Sequence, residues 1–259
     1  RRQRQMCIRD RYYNVDALNQ SAEEATTLQR NIINDTGLRF LHSLKLGSHY
    51  TLQSGYQYNT TEIKNRDEVS YPASVTTLNT RLNTHALTAQ LDYNPSDSPL
   101  YLQGGVRFNY IEQLKLTYLE PRLNLTYKAG ESVKIQVQAE SKSQTASQIV
   151  GMQKDFLGIE NRRWILANDK DIPVQHSTQA SIGLVIRERG WLISWDNFYK
   201  KVKGITSESQ AFQNQFETEQ ASGSYEVKGT EFLIQKQFRQ FYVWLSYAYC
   251  LLYTSDAAD

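Results

Sequence analysis

Cysteine is nearly missing from this chain: there are two in 259 residues, Cys7 and Cys250, each close to an end. So small a number supplies no disulfide framework, and its position leaves the redox compartment undecided. No apolar run approaches the roughly 18 residues that a membrane-crossing helix needs. The arginine-rich start has no apolar stretch behind it, so no secretory leader is expected in these residues. Excess charge is missing too. The net charge is +2, but Arg1–Arg11 holds five arginines and one aspartate and Leu251–Asp259 holds two aspartates, which leaves the body neutral. Nucleic-acid binding needs a basic stripe on a folded face, and no such partner is expected. The four histidines, His42, His49, His85 and His176, have no metal-ligand spacing. No G-x-S-x-G elbow or phosphate-cradling G-x-x-x-x-G-K occurs. No catalytic residue, metal site or cofactor is therefore expected, and the chain does not read as an enzyme.

What the chain has is tyrosine and alternation. Aromatic residues make up 12% of it, and 17 are tyrosines, a residue suited to strands and to boundaries between water and apolar surroundings. In "VKIQVQAESK", Val133, Ile135, Val137 and Ala139 alternate with Lys134, Gln136, Gln138 and Glu140. In "LEPRLNLTYK", Leu119, Pro121, Leu123, Leu125 and Tyr127 alternate with Glu120, Arg122, Asn124, Thr126 and Lys128. Side chains alternate faces along a strand, so each stretch has one apolar and one polar face. The pattern recurs from Tyr50 to Tyr58, Leu87 to Tyr93, Leu102 to Tyr110 and Ala180 to Ile186. About ten strands are expected from Thr36 to Tyr249, with a further fragment near Tyr12.

Connections alternate as well. Tight-turn chemistry falls at Gly47–Ser48, Asn94–Pro99, Ala129–Ser132, Arg189–Gly190 and Phe238–Gln240. Longer polar connections are expected at Lys64–Arg81, Thr145–His176 and Gly204–Ser222, with a shorter one at Glu112–Thr117. Tight turns on one side and long loops on the other describe an up-and-down meander, the arrangement of a transmembrane barrel. Soluble strands average five or six residues; these reach about ten, enough to cross a bilayer at a tilt. Aromatics gather at strand ends, where interfacial girdles lie. The polar face, with Arg107, Glu120, Arg122, Lys134, Gln136, Gln138 and Glu140, suits a wet lumen. Val133, Ile135 and Val137 are expected to face the other way, toward lipid.

Longer stretches carry a family resemblance. "YLEPRLNLTYKAGESVKIQVQAES", with Glu120-Pro121-Arg122 opening a strand, resembles a hallmark of TonB-dependent receptor barrels. "STQASIGLVIRERGWLISWDNFYKKVKGI" and "GSYEVKGTEFLIQKQFRQFYVWLSYAY" resemble later strands of the same family, through Phe198-Tyr199-Lys200, Lys228-Gly229-Thr230-Glu231 and Ser246-Tyr247-Ala248-Tyr249. The resemblance covers about Thr36 to Tyr249. It implies an all-β, antiparallel meander that forms part of a 22-stranded barrel whose N-terminal plug is not in this chain. It further implies energy-coupled uptake of a scarce nutrient (siderophore, cobalamin, glycan or peptide) in the outer membrane of a Gram-negative bacterium. Outer-membrane lipid, an extracellular small ligand and, through the plug, the TonB complex are the implied partners. A passive or fatty-acid-type porin is the alternative, and a soluble secreted all-β binding module a third reading.

The two ends read differently from the body. "MCIRDR" and "CLLYTSDAAD" resemble translated sequencing-adapter read-through. The chain is thus divided into 1–11 and 250–259, expected to be foreign tails with few ladder hydrogen bonds, and 12–249, the barrel portion. Glu120 and Arg122 sit two apart on the polar face, as a wall ion-pair network or as ligand contacts. Pro121 is expected at a strand's start, and Gly104 and Gly105 mark a bend or close packing. Arg162, Arg163 and Trp164 in the longest loop are candidates to touch an extracellular ligand or to pack the loop itself. A set of strands shaped for a wide circle should not close on itself: an open, curved sheet is expected, its first strand unpaired with its last.

Overall fold

The structure is a computed structural model that describes residues 4–6, 11–14, 26–70, 73–150, 162–206 and 222–256. Its strands are β1 (Arg4–Met6), β2 (Arg11–Asn14), β3 (Thr26–Leu46), β4 (Tyr50–Val69), β5 (Ser74–Tyr93), β6 (Leu100–Ile111) and β7 (Leu116–Ala129). They continue with β8 (Val133–Gln144), β9 (Ala146–Val150), β10 (Arg162–Leu166), β11 (Gln175–Glu188), β12 (Trp191–Thr206), β13 (Ser222–Gln237) and β14 (Tyr242–Asp256). Ten long strands form one antiparallel meander in the order β3-β4-β5-β6-β7-β8-β11-β12-β13-β14, while β1 and β2 both pair with β3. β14 pairs with β13, and no ladder joins it to β3 among the described residues. The sheet is open.

Turn chemistry fixes the hairpins at one end. Arg189 and Gly190 both have positive φ, 46° and 80°, as a two-residue type I′ turn requires. Gly47 (φ 74°) and Gly130 (φ 87°) serve two other turns. At the opposite end the connections differ from the sequence expectation. Lys64–Arg81 is not a long loop: β4 runs to Val69 and β5 resumes at Ser74, in register throughout from Tyr50↔Tyr93 to Val69↔Ser74. Buried Ile63 and Leu82 on the shared face hold these extensions together. Thr145–His176 contains the β9–β10 hairpin, and β12 runs on to Thr206 before residues 207–221, which lie outside the described residues. Glu112–Lys115 is a tight turn, with Lys115 N–H donating to the Glu112 carbonyl at 3.3 Å.

The ends also depart from expectation. Leu251–Asp256 is laddered residue by residue to Lys228–Gly223, and Arg4–Met6 pairs with Asp35–Ile33. The reason is local: Leu251, Leu252, Tyr253 and Thr254 continue the strand-favouring run of β14 beside an edge of β13 that has donors to offer. Pro121 is likewise not at a strand's start but six residues into β7. It does stand where one ladder ends. The β7–β8 pairing runs from Arg122↔Glu140 to Ala129↔Val133 and stops there, while β6–β7 pairing continues past Pro121 to Leu116. Proline has no N–H to give β8, so that ladder has no rung at Pro121.

Cross-strand partners share a face, so the register sorts the sheet into two. One face carries Phe40, Leu87, Phe108, Leu119, Leu123, Ile135, Val137, Ile182, Trp195 and Tyr247. It is exposed: Phe40 is 60% accessible, Leu119 60%, Ile182 53% and Trp195 49%. Val133, Ile135 and Val137 lie on this face, as expected, and outside the buried core. The core sits at the loop end of the other face. There Ile63, Leu82, Ile111, Leu166, Ala167 and Val174 form one buried cluster.

Candidate functional site

The polar face of the sheet is assembled by pairing. Glu140 stands opposite Arg122 and Gln179, and Gln138 opposite Asn124 and Ser181. Arg107 stands opposite Glu120 and Thr88. All seven residues read from the sequence as facing a lumen, Arg107, Glu120, Arg122, Lys134, Gln136, Gln138 and Glu140, therefore share one face. They do not form one cluster. Lys134 lies near the tight-turn end opposite Lys128, whereas Arg107 and Glu120 lie toward the loop end.

Glu120 is the most enclosed of them, its side chain only 6% accessible. One carboxylate oxygen accepts the backbone N–H of Ser143 at 2.8 Å and the Ser143 hydroxyl at 2.5 Å. The other lies 3.9 Å from Arg107 Nε. The carboxylate thus takes the place of the backbone acceptor that β7 fails to present beyond Pro121, and it closes the gap in the β7–β8 ladder. Charge-assisted bonds of this kind are among the stronger ones in proteins. Arg107 is held further by Asn109 Oδ1, accepting from Nε at 2.7 Å, and Gln57 Oε1, accepting from Nη1 at 3.1 Å. Glu140 accepts from Gln179 Nε2 and from Lys142 Nζ.

A second node was hidden in the sequence. Asp92 receives the side-chain amides of Gln53 (2.8 Å), Gln90 (3.1 Å) and Gln103 (2.8 Å), which tie β4, β5 and β6 together. Each glutamine is unremarkable alone; only the register Gln53↔Gln90 and Asp92↔Gln103 brings them to one carboxylate. Gly105 keeps this region open. A Cβ there would lie 3.1 Å from Gln90 Cβ and 3.0 Å from the Ala89 carbonyl. Between these nodes the face has a cavity of about 550 Å³ with Arg122, Glu140, Gln179 and Lys200 on its walls. Cations, carboxylates and amides alternate around it, so it offers hydrogen bonds of both senses to water or a polar solute.

The loop between β8 and β11 folds onto the same face. β9 and β10 pair from Ala146↔Leu166 to Val150↔Arg162. Leu166, Ala167 and Val174 seal against Ile63, Leu82 and Ile111, and Trp164 packs against that cluster. The Trp164 carbonyl accepts Asn65 Nδ2 at 2.8 Å. Gly204 admits this closure: its φ is +77°, and a Cβ would meet the Val174 carbonyl at 2.7 Å. Of the three loop candidates, Trp164 is thus placed in the packing of the loop on the sheet. Arg163 is half-buried, its Nε enclosed without a hydrogen-bond partner, and Arg162 is a backbone member of β10. The folded-in hairpin carried no sequence signal that separated it from an ordinary long loop.

Aromatic residues frame the exposed apolar face. At the tight-turn end Tyr50 and Tyr93 lie 5.0 Å apart, and Lys236 Nζ sits 4.7 Å from the Trp191 ring. At the loop end Tyr58 and His85 are 5.0 Å apart, with Tyr110 at 6.4 Å from His85. Glu112, in the turn beyond, accepts from Asn83 Nδ2 at 2.7 Å and lies 2.5 Å from His85 Nε2. The bond to His85 and that from Asn83 hold its carboxyl below the usual carboxylate range. From Leu100 to Tyr110 an antiparallel strand rises roughly 34 Å. A tilt of 35–45° brings that to about 25 Å, the height of the apolar band of an outer-membrane barrel.

The family model described as TonB dependent receptor-like, beta-barrel matches residues 4–259. None of the curated proteins compared matches the chain. Among solved structures the sheet is similar to the ferric citrate transporter FecA in its unliganded form, with TM-score 0.61 and 14% identity over 96% of this chain and 39% of that one. It is similar to the FrpB iron transporter from Neisseria meningitidis, with TM-score 0.61 and 12% identity over 90% of this chain and 40% of that one. The RagAB peptide importer gives TM-score 0.58 and 7% identity over 90% of this chain and 31% of that one. The chain thus spans well under half the length of these proteins, and at such identities the likeness is one of fold.

Proposed function

The chain belongs to the TonB-dependent receptor-like β-barrel family, and from that membership we propose that it is barrel wall of an outer-membrane receptor that imports a scarce nutrient with energy coupling. The observation that carries the reading is the two-faced sheet. Ten strands present an exposed apolar band edged by aromatics on one side and a hydrogen-bonded polar surface on the other. Lipid would cover the first and a wet lumen the second. On this reading Arg107, Glu120, Arg122, Lys134, Gln136, Gln138 and Glu140 face the lumen, and the tight turns lie on the periplasmic side.

Energy coupling, rather than passive flow, is supported by the β9–β10 hairpin, which fills the polar face at the loop end instead of leaving it open. A hairpin packed on the lumen-facing wall narrows the path open to passive flow. The solved neighbours include importers of iron and of peptides, and a solute in that range would meet the cavity beside Arg122 and Glu140. Uptake by cells carrying the receptor tests this, with ferric chelates, cobalamin, peptides and oligosaccharides offered in turn. One class should accumulate, and its accumulation should stop when the inner-membrane proton gradient is collapsed. Uptake that continues at the same rate without the gradient would overturn the energy-coupled reading in favour of a passive porin.

A further inference from the structure

The apolar face is not uniform. On β11, β12 and β13 the small side chains Ala180, Asn197 and Thr230 lie between the larger Ile182, Tyr199 and Tyr249. They leave a groove of about 660 Å³ that opens toward the surroundings of the sheet. Its lining is almost wholly apolar until its loop-side end, where Lys228 stands. Lys228 Nζ is held between two rings, 5.6 Å from the Tyr199 centroid and 5.8 Å from that of Tyr253. Register puts Lys201 and Lys203 on the same face, one and two steps further toward the loops, with Lys201 directly opposite Glu226. Glu226 is engaged by Lys201 at 2.6 Å. Among the described residues, three ammonium groups against one carboxylate leave this corner cationic.

A groove that accepts hydrocarbon and ends in a cation at the height of the aromatic girdle has a definite complement. We propose that this groove binds one anionic lipid, an acyl chain lying along Ala180, Asn197 and Thr230 and a headgroup phosphate resting on Lys228. The site builds on the membrane orientation given above, which sets Lys228 at the outer-leaflet boundary. Tyr199 and Tyr253 hold the ammonium by cation–π attraction, so it is preset at the boundary and does not have to be ordered when the lipid arrives. Lys201 stays with Glu226, while Lys203, exposed, adds to the attraction at longer range.

The test uses the receptor that carries this sheet, purified in detergent and assessed by native mass spectrometry. The probes are phosphatidylglycerol and phosphatidylcholine with identical acyl chains, and inorganic phosphate alone. One phosphatidylglycerol should be retained in preference to phosphatidylcholine, and phosphate alone should not bind. Lys228→Gln should weaken that retention by about fivefold, the worth of one cation near an anionic lipid surface. Asn197→Leu fills the groove with an apolar side chain that suits a lipid-facing position, so it should leave folding intact and expel the lipid. Equal retention of the two lipids, or unchanged retention in both variants, would overturn the lipid site while leaving the barrel reading in place. A receptor that stays soluble and monomeric without detergent would overturn both.

Discussion

Glu120 offers a sharp test because its side chain replaces main chain. Truncation in Glu120→Ala removes the acceptor for the half-buried Ser143 N–H and hydroxyl and leaves Arg107 without its carboxylate. Each bond to a charged group contributes about 1.5–3 kcal/mol, and removing one partner of a buried ion pair costs roughly 3–5 kcal/mol. Arg107 is still 24% accessible and keeps Asn109 and Gln57, so water and those amides offset part of the loss. The expected cost is about 3 kcal/mol. Glu120→Gln keeps an acceptor toward Ser143 and loses only the charge, so its cost should be about 1 kcal/mol. The assay is urea-dependent folding of the receptor into lipid vesicles, read by the shift in electrophoretic mobility of folded barrel. The order of the two variants matters as much as the size. If Glu120→Ala stays within about 0.5 kcal/mol of the parent, or if Glu120→Gln is as damaging, the carboxylate does not close the ladder gap as described.

Ile182→Arg places a charge in the middle of the apolar band and should cost roughly 2–4 kcal/mol in vesicle folding, whereas Gln138→Arg on the polar face should stay within about 0.5 kcal/mol; equal effects would contradict the assignment of faces. Glu112 has a carboxyl pKa depressed by His85 and Asn83, so its contribution is present above the unfolded carboxylate value and is lost as pH falls through the lower folded one. Protection of the Glu112–Lys115 amides, relative to their intrinsic exchange at each pH, should therefore fall on acidification in that window, and Glu112→Gln should remove the fall; a turn whose protection is the same across the window would refute the pairing. Leu166→Ala, at a site only 2% accessible, should loosen the β9–β10 hairpin by about 2–4 kcal/mol. Protease cleavage between β9 and β10 should rise with the rest of the sheet intact, and an unchanged cleavage rate would mean that the cluster does not hold the hairpin down.

Much of this protein is written in its sequence at short range. Alternation of Val133, Ile135 and Val137 with Lys134, Gln136 and Gln138 follows from strand geometry alone, and so do the two faces. The turn at Arg189–Gly190 follows from Gly190, which takes the positive φ of a tight hairpin turn without steric cost. These are local rules, and the strand count and the meander they predict are the ones found. Tertiary structure decided the rest. Lys64–Arg81 reads as polar loop, yet it is strand, because Ile63 and Leu82 gain burial only once Leu166 and Val174 arrive from another part of the chain. Asn65 meets the Trp164 carbonyl across 99 residues. Asp92 becomes a node, Glu120 a ladder closure and Ala180–Asn197–Thr230 a groove only when register places strands side by side. Period two fixes which way a side chain points, but not what stands opposite it; partners are set by contacts far apart in sequence, whose energy no single strand contains.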